Sequence, residues 1–191
     1  MQQIISLMRD RRCWTAITAV VMSLGVAWTA ASRIPEAEKS SGEITSPQEG
    51  FLAPDFRLET IDGSAVTLST LRGRIVVINL WASWCPPCRA EMPAFQAVYE
   101  DYNTQGLVVL GVNMTYQDSA VDASSFASEL GLTFPIVLDP GGEAAAAYQM
   151  RALPTTFFID ERGIIRQVLV GGLLNEATIR SIVKDLLEES S

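Results

Sequence analysis

Two cysteines separated by two prolines, Cys85-Pro86-Pro87-Cys88, carry most of the chemistry this sequence can offer. They follow the apolar run Ile75 to Trp81 and precede a segment of helical periodicity, Arg89 to Tyr102. The pattern is a strand, a sharp turn and a helix whose N-terminus meets the first thiol. Unpaired amides and the positive end of the helix dipole favour a thiolate there and lower its pKa. A thiolate is the species that attacks a disulfide. Cys85 is therefore the expected attacking thiol. Cys88, one turn inside the helix, is the expected buried thiol with a raised pKa, which resolves the mixed disulfide. A structural disulfide and half of an intermolecular metal site are the other uses of such a pair; the strand–CxxC–helix context argues against both.

Three further positions bear on that chemistry. Glu91 lies three residues after Cys88 on the same helical face. It is either a solvated helix carboxylate or, because Phe95 shares that face, an inward-pointing acid with a raised pKa that takes the proton from Cys88. Pro93 sits inside the helix, where it removes one hydrogen bond and should kink the axis. Pro154 follows Leu153 at the start of a strand, an awkward place for proline, and implies either a special backbone or an ordinary edge strand. Trp81 and Trp84 read as packing residues, with Trp84 also a candidate for the substrate surface.

The totals remove several alternatives. The chain of 191 residues has no His, which excludes a Ser/His/Asp triad, a Cys/His dyad and any His-ligated metal. Three cysteines cannot form a Cys₄ zinc site within one chain. No metal and no cofactor beyond the redox pair Cys85–Cys88 is expected. Phe51 to Ser191 holds 17 acidic and 9 basic residues, so the whole net charge of -8 falls there. That balance argues against nucleic acid, whose partners carry basic patches.

The elements that must position the thiols read as one α/β unit over residues 51–191. Phe56 to Leu58 and Ala65 to Thr67 flank Asp62-Gly63 and predict an N-terminal hairpin. Ile75 to Trp81 is apolar enough for a central strand covered on both faces. The spacing predicts strands over 107–112 and 136–138, helices over 119–130 and 143–148, and a second hairpin, 155–159 with 164–170. A last helix follows Asn175 as N-cap, with Ile179, Ile182, Val183 and Leu186 inward. Parallel βαβ units followed by an antiparallel hairpin imply a mixed sheet.

Ahead of this unit, Cys13 to Ser32 is a run of 20 residues without a charge. As a helix it would span about 30 Å, the thickness of a bilayer core. Arg9, Arg11 and Arg12 precede it and place residues 1–12 on the cytoplasmic side. Residues 13–32 are read as one transmembrane anchor; a signal peptide cleaved near Thr29-Ala30-Ala31 is the alternative, and both export the rest. Cys13 reads as an inert small hydrophobe, with lipidation as the alternative. Residues 33–50, rich in Glu, Ser, Pro and Gly, read as a flexible linker.

Trp81-Ala82-Ser83-Trp84-Cys85-Pro86-Pro87-Cys88, with Pro93 and Leu153-Pro154-Thr155-Thr156-Phe157, resembles the thioredoxin superfamily. Within it, the chain is similar to the membrane-anchored, extracytoplasmic TlpA/ResA-like reductases over about residues 51–189. The resemblance implies a three-layer thioredoxin-like fold with a helix-strand insertion at about 116–138. It implies that Pro154 is a cis-proline facing the cysteines, leaving nearby backbone free for an extended substrate. It implies a role for the acid at Glu91. Asn79 departs from thioredoxin, which has a buried Asp in this strand position; Asn cannot titrate, so proton handling passes to Glu91 or water. Trp84, Pro86, Leu153 and Pro154 are the expected substrate-facing residues.

The implied activity is reduction of protein disulfides, with apocytochrome c in cytochrome c maturation as a family substrate and a transmembrane thiol carrier of CcdA/DsbD type as electron donor. The absence of His beside the thiols, with prolines between them, also leans toward a reductant. A disulfide oxidase or isomerase, a thiol peroxidase of redoxin type, and a non-catalytic tethered binding module are the rival readings.

Overall fold

In the computed structural model the described residues are 21–23 and 44–189. Residues 1–12, the expected anchor over 13–32 except 21–23, and linker residues 33–43 lie outside them. No helix among the described residues is long and apolar enough to cross a membrane.

The compact unit contains seven strands and four α-helices. In chain order they are β1 (Arg57–Thr60), β2 (Ala65–Thr67), β3 (Ile75–Trp81), α1 (Pro86–Tyr102), β4 (Leu107–Asn113), α2 (Ala120–Glu129), β5 (Ile136–Leu138), α3 (Glu143–Ala147), β6 (Thr155–Ile159), β7 (Ile165–Val170) and α4 (Glu176–Glu189). The sheet runs β2-β1-β5-β4-β3-β6-β7. The β3–β4 and β4–β5 pairs are parallel and the others antiparallel, so the sheet is mixed. Strand β5 lies between β4 and β1 and is what attaches the N-terminal hairpin to the rest of the sheet.

Two apolar layers cover the sheet, and strand alternation decides which residue enters which. Ile75, Val77 and Trp81 of β3 pack with Met92, Phe95 and Val98 of α1 and with residues of α2 and α4. Val76, Ile78 and Leu80 pack on the opposite face with residues of α3 and the turn near Leu68. Asn79 has the parity of Val77 and Trp81 and therefore faces α1. A one-residue slip of β3 would turn it into the other apolar layer.

Helix α1 begins at Pro86, with Cys85 at its N-terminus and Cys88 inside its first turn; Pro86 and Pro87 fit the first helical positions, where a missing N–H costs nothing. One expectation is corrected. The end of the expected linker, residues 44–50, is not free chain. Gly50 N–H donates to Ile165 O at 2.8 Å, Ser46 N–H to Leu52 O at 3.0 Å, and Val168 N–H to Glu49 Oε1 at 2.9 Å. β7 is an edge strand with unpaired polar groups, and this segment supplies partners for them.

Gly111, in the middle of β4, shows how tightly the sheet meets its cover. A Cβ there would sit 3.0 Å from both Ile136 Cδ1 and Phe134 Cε2 and 3.3 Å from Trp81 Nε1. All three neighbours are buried, so none can swing aside. Gly111→Ala is expected to destabilise the fold by about 1–3 kcal/mol, the usual range for overpacking, measured as a lower denaturant midpoint. An unchanged midpoint would show that this contact relaxes freely.

Candidate active site

Cys85 is the N-cap of α1, with extended backbone at φ -90° and ψ 108°, and it is joined to Cys88 in a disulfide. Pro86 and Pro87 occupy the first two helical positions and have no N–H. Of the first three helical residues only Cys88 therefore has an amide to offer, and it donates to Cys85 Sγ at 3.3 Å. That amide, at the positive end of the helix, is the one that favours negative charge on the Cys85 sulfur. Cys85 is 3 % exposed and Cys88 is fully buried. The expected order of exposure is present, yet even Cys85 is nearly covered in the disulfide form.

Behind Cys88 lies a buried polar cluster. Glu91 has no solvent exposure. Its Oε1 accepts from Asn79 Nδ2 at 2.7 Å and its Oε2 from the Leu174 N–H at 3.3 Å. Asn79 Nδ2 also donates to Thr156 Oγ1 at 3.0 Å. Burial pushes the Glu91 carboxyl up to about 7, even after the hydrogen bonds from Asn79 and Leu174 pull it down. The group can thus hold or release a proton near neutrality. Glu91 lines none of the groove in front of the cysteines; it belongs to the Cys88 side of the helix.

The loop before Cys85 is held by the inserted segment. Asp118 accepts from Ser83 N–H at 2.6 Å, Ser83 Oγ at 2.7 Å, Asn113 Nδ2 at 2.8 Å and Ser119 N–H at 2.9 Å. Burial alone would raise its pKa, but these bonds outweigh it and hold the carboxyl below the usual range. Trp84 is 56 % exposed, and its Nε1–H donates to Gln117 O at 3.1 Å. Trp81 is buried against Phe126, ring centroids 4.5 Å apart.

The Leu153–Pro154 peptide is cis, and Pro154 is buried. Pro154 O accepts from Gly171 N–H at 2.8 Å. The Gly171 to Leu174 turn therefore ties the proline to Glu91, which Leu174 contacts. In front, an open groove of about 450 Å³ is lined by Trp84, Cys85, Pro86 and Leu153 together with Tyr116 and Arg151.

Of the residues singled out from sequence, Cys85, Trp84, Pro86 and Leu153 share this groove. Pro154 lies beneath it, and Glu91 lies behind Cys88. Asp118, Ser83, Leu174, Tyr116 and Arg151 escaped the sequence reading. Asp118 directly precedes the Ser119 N-cap of α2, which made it look like one more turn residue. Leu174 acts through its backbone amide, which no sequence pattern reports.

The model of the AhpC/TSA family matches residues 50–168. The thiol-disulfide oxidoreductase ResA of Geobacillus kaustophilus is 40% identical over 134 residues, covering 70% of this chain and 76% of that protein. ResA of Bacillus subtilis is 36% identical over 126 residues, covering 66% and 69%. A crystal structure of a thiol:disulfide interchange protein of the thioredoxin family from Chlorobium tepidum superposes with a TM-score of 0.66 at 27% identity, covering 71% of this chain and 95% of that one.

Asp118 satisfies donors on three separate stretches of chain, so its loss strands several of them at once. Asp118→Ala is expected to cost about 2–3 kcal/mol and to speed amide exchange at Ser83. Because the folded pKa is lowered, this stabilisation is present above the unfolded carboxyl pKa and disappears as pH falls through the folded value. A denaturant midpoint equal to that of the parent at neutral pH would show that the clamp is dispensable.

Proposed function

The chain belongs to the AhpC/TSA family and is a thiol–disulfide oxidoreductase of the ResA-like kind, and on that premise we propose that it works as a disulfide reductase on exported proteins. The observation that carries this reading is the buried Glu91, placed one helical turn after Cys88 and held by Asn79 and Leu174. A carboxylate beside the pair opposes formation of further negative charge on sulfur. It disfavours the reduced, thiolate-bearing state relative to the disulfide, and a dithiol so disfavoured gives its electrons away readily. The helix N-terminus keeps Cys85 reactive enough to attack.

In the proposed cycle the Cys85 thiolate attacks one sulfur of the substrate disulfide. The substrate S–S bond breaks, its second sulfur leaves as a thiolate that takes a proton from water, and a Cys85–substrate disulfide forms. Cys88 then loses its proton to the Glu91 carboxylate and attacks Cys85 Sγ. The Cys85–Cys88 bond forms, the mixed disulfide breaks, and the reduced substrate departs, having gained two electrons in all. Glu91 returns its proton to solvent or to the leaving thiolate. A dithiol donor restores the enzyme by the reverse exchange.

Residues 13–32 are proposed as an anchor holding the domain on the outer face of the cytoplasmic membrane. There the surroundings are oxidising, and a transmembrane thiol carrier of CcdA/DsbD type would supply electrons. An oxidised Cys-x-x-Cys of an apocytochrome c is the proposed substrate. Leu153, whose own main chain makes no hydrogen bond among the described residues, would pair with the extended substrate backbone.

Two measurements test this reading. The reduction potential of the Cys85–Cys88 couple should lie near that of thioredoxin, about -270 mV; a value near -120 mV, that of a strong oxidant, would make the chain a disulfide donor. Glu91→Gln should slow resolution so that the mixed disulfide accumulates, and should remove the inflection near pH 7 from the rate of that step. The same variant should be the more stable protein at alkaline pH. The folded pKa of Glu91 is raised, so the parent loses stability as pH rises from the unfolded carboxyl value to about 7. Against the lost Leu174 bond, the net advantage above pH 7 is about 2 kcal/mol, and it vanishes in acid. Equal resolution rates in parent and variant would remove Glu91 from the mechanism.

A further inference from the structure

Two grooves open on the surface around the cysteine pair, and Arg151 stands where they meet. One is the groove of about 450 Å³ beside Cys85, walled by Trp84 and Tyr116 on one side and Met150 to Leu153 on the other. The second, about 270 Å³, lies against Tyr148, Phe157 and Val168 and continues toward Pro47 and Gln48. Met150 and Arg151 line both, and among the described residues Arg151 is the only charged one in the lining of either.

Three observations set this cation apart. First, it is exposed and, among the described residues, has no ion-pair partner; Arg57, Arg72, Arg74 and Lys184 share that property, but none of them lines either groove. Second, the chain between Arg89 and Arg151 holds eight acidic residues and no basic one, so its setting is otherwise acidic. Third, the turn that leads into it is held by hydrogen bonds. Helix α3 closes with Met150 N–H donating to Ala145 O at 2.9 Å and Gln149 N–H to Ala146 O at 3.1 Å, while Gln149 takes a left-handed φ of 47°. Glycine usually fills that capping position. Here a residue with a Cβ is held there, and the turn delivers Met150 and Arg151 to the groove wall.

We propose that Arg151 is a specificity determinant of the exchange reaction: it selects disulfide peptides that carry an acidic side chain beside the attacked cysteine, in an extended segment lying along Leu153. This rests on the oxidoreductase reading given above. Trp84 and Tyr116 offer apolar surface to such a segment, and Arg151 offers a charge at the groove wall, whose planar fork matches a carboxylate. The overall charge of -8 acts the other way and disfavours acidic partners at long range. The selection is therefore local, confined to the position that reaches Arg151, and salt weakens it because the pair is exposed.

The test uses the full chain, reduced, with three peptides. Each contains one internal disulfide, and they are identical except for Asp, Asn or Lys beside the attacked cysteine. Neutral hydroxyethyl disulfide is measured alongside, and each kcat/KM is divided by that value. The expected Asp-to-Lys ratio is about five-fold, the upper range for one exposed ion pair. It should fall toward one in Arg151→Gln, invert in Arg151→Glu and collapse in 1 M salt. Reduction of hydroxyethyl disulfide with no preference among the peptides overturns the role of Arg151 alone, as does a preference that survives in Arg151→Glu. Failure of the unaltered chain to reduce any of the disulfides overturns the oxidoreductase reading itself, and the role of Arg151 falls with it.

Discussion

The 2.7 Å hydrogen bond from Asn79 to Glu91 joins the central strand to the active-site helix inside an apolar interface. Its position follows from strand parity: Asn79 lies between Val77 and Trp81 on the face that α1 covers. Neither group could be buried alone without a large desolvation cost. Together they are tolerated, and the Leu174 amide completes the carboxylate's partners. The interface is thereby fixed in register and also contains a carboxyl whose pKa of about 7 suits proton transfer. In the proposed cycle the same contact serves both packing and proton transfer.

The two cysteines experience opposite influences from this arrangement. Cys85 sits at the start of the helix, where the single available amide of the first three residues meets its sulfur. Cys88 sits inside, on the side of a buried acid. The first setting favours negative charge on sulfur and the second opposes it. That asymmetry distinguishes two residues of the same type, and the proposed cycle rests on it.

The inserted segment contributes differently. Strand β5 extends the sheet, while the turn before α2 supplies Asp118, which fastens the loop preceding Cys85, and Gln117, which receives the Trp84 indole. Together with the 44–50 segment along β7, it builds the ground around a site whose two sulfurs lie at the N-cap and in the first turn of α1. The proposed selectivity of Arg151 belongs to the same outer ring of residues.

The sequence by itself determined the strands, the helix that carries the thiols and the identity of the reacting pair. Each of these depends on periodicity or on a short local motif, and such signals survive without knowledge of the fold. It also pointed to Glu91, because helical spacing relates residues three and four apart. Tertiary structure alone decided how deeply that carboxyl is buried, that Asn79 and Leu174 hold it, and that Asp118 fastens the loop before Cys85. Those contacts join residues 12, 83 and 35 positions apart in the chain, and two of the donors are backbone amides identical at every non-proline residue. The docking of residues 44–50 escaped the sequence because a polar segment reads as linker until an open strand edge is found beside it.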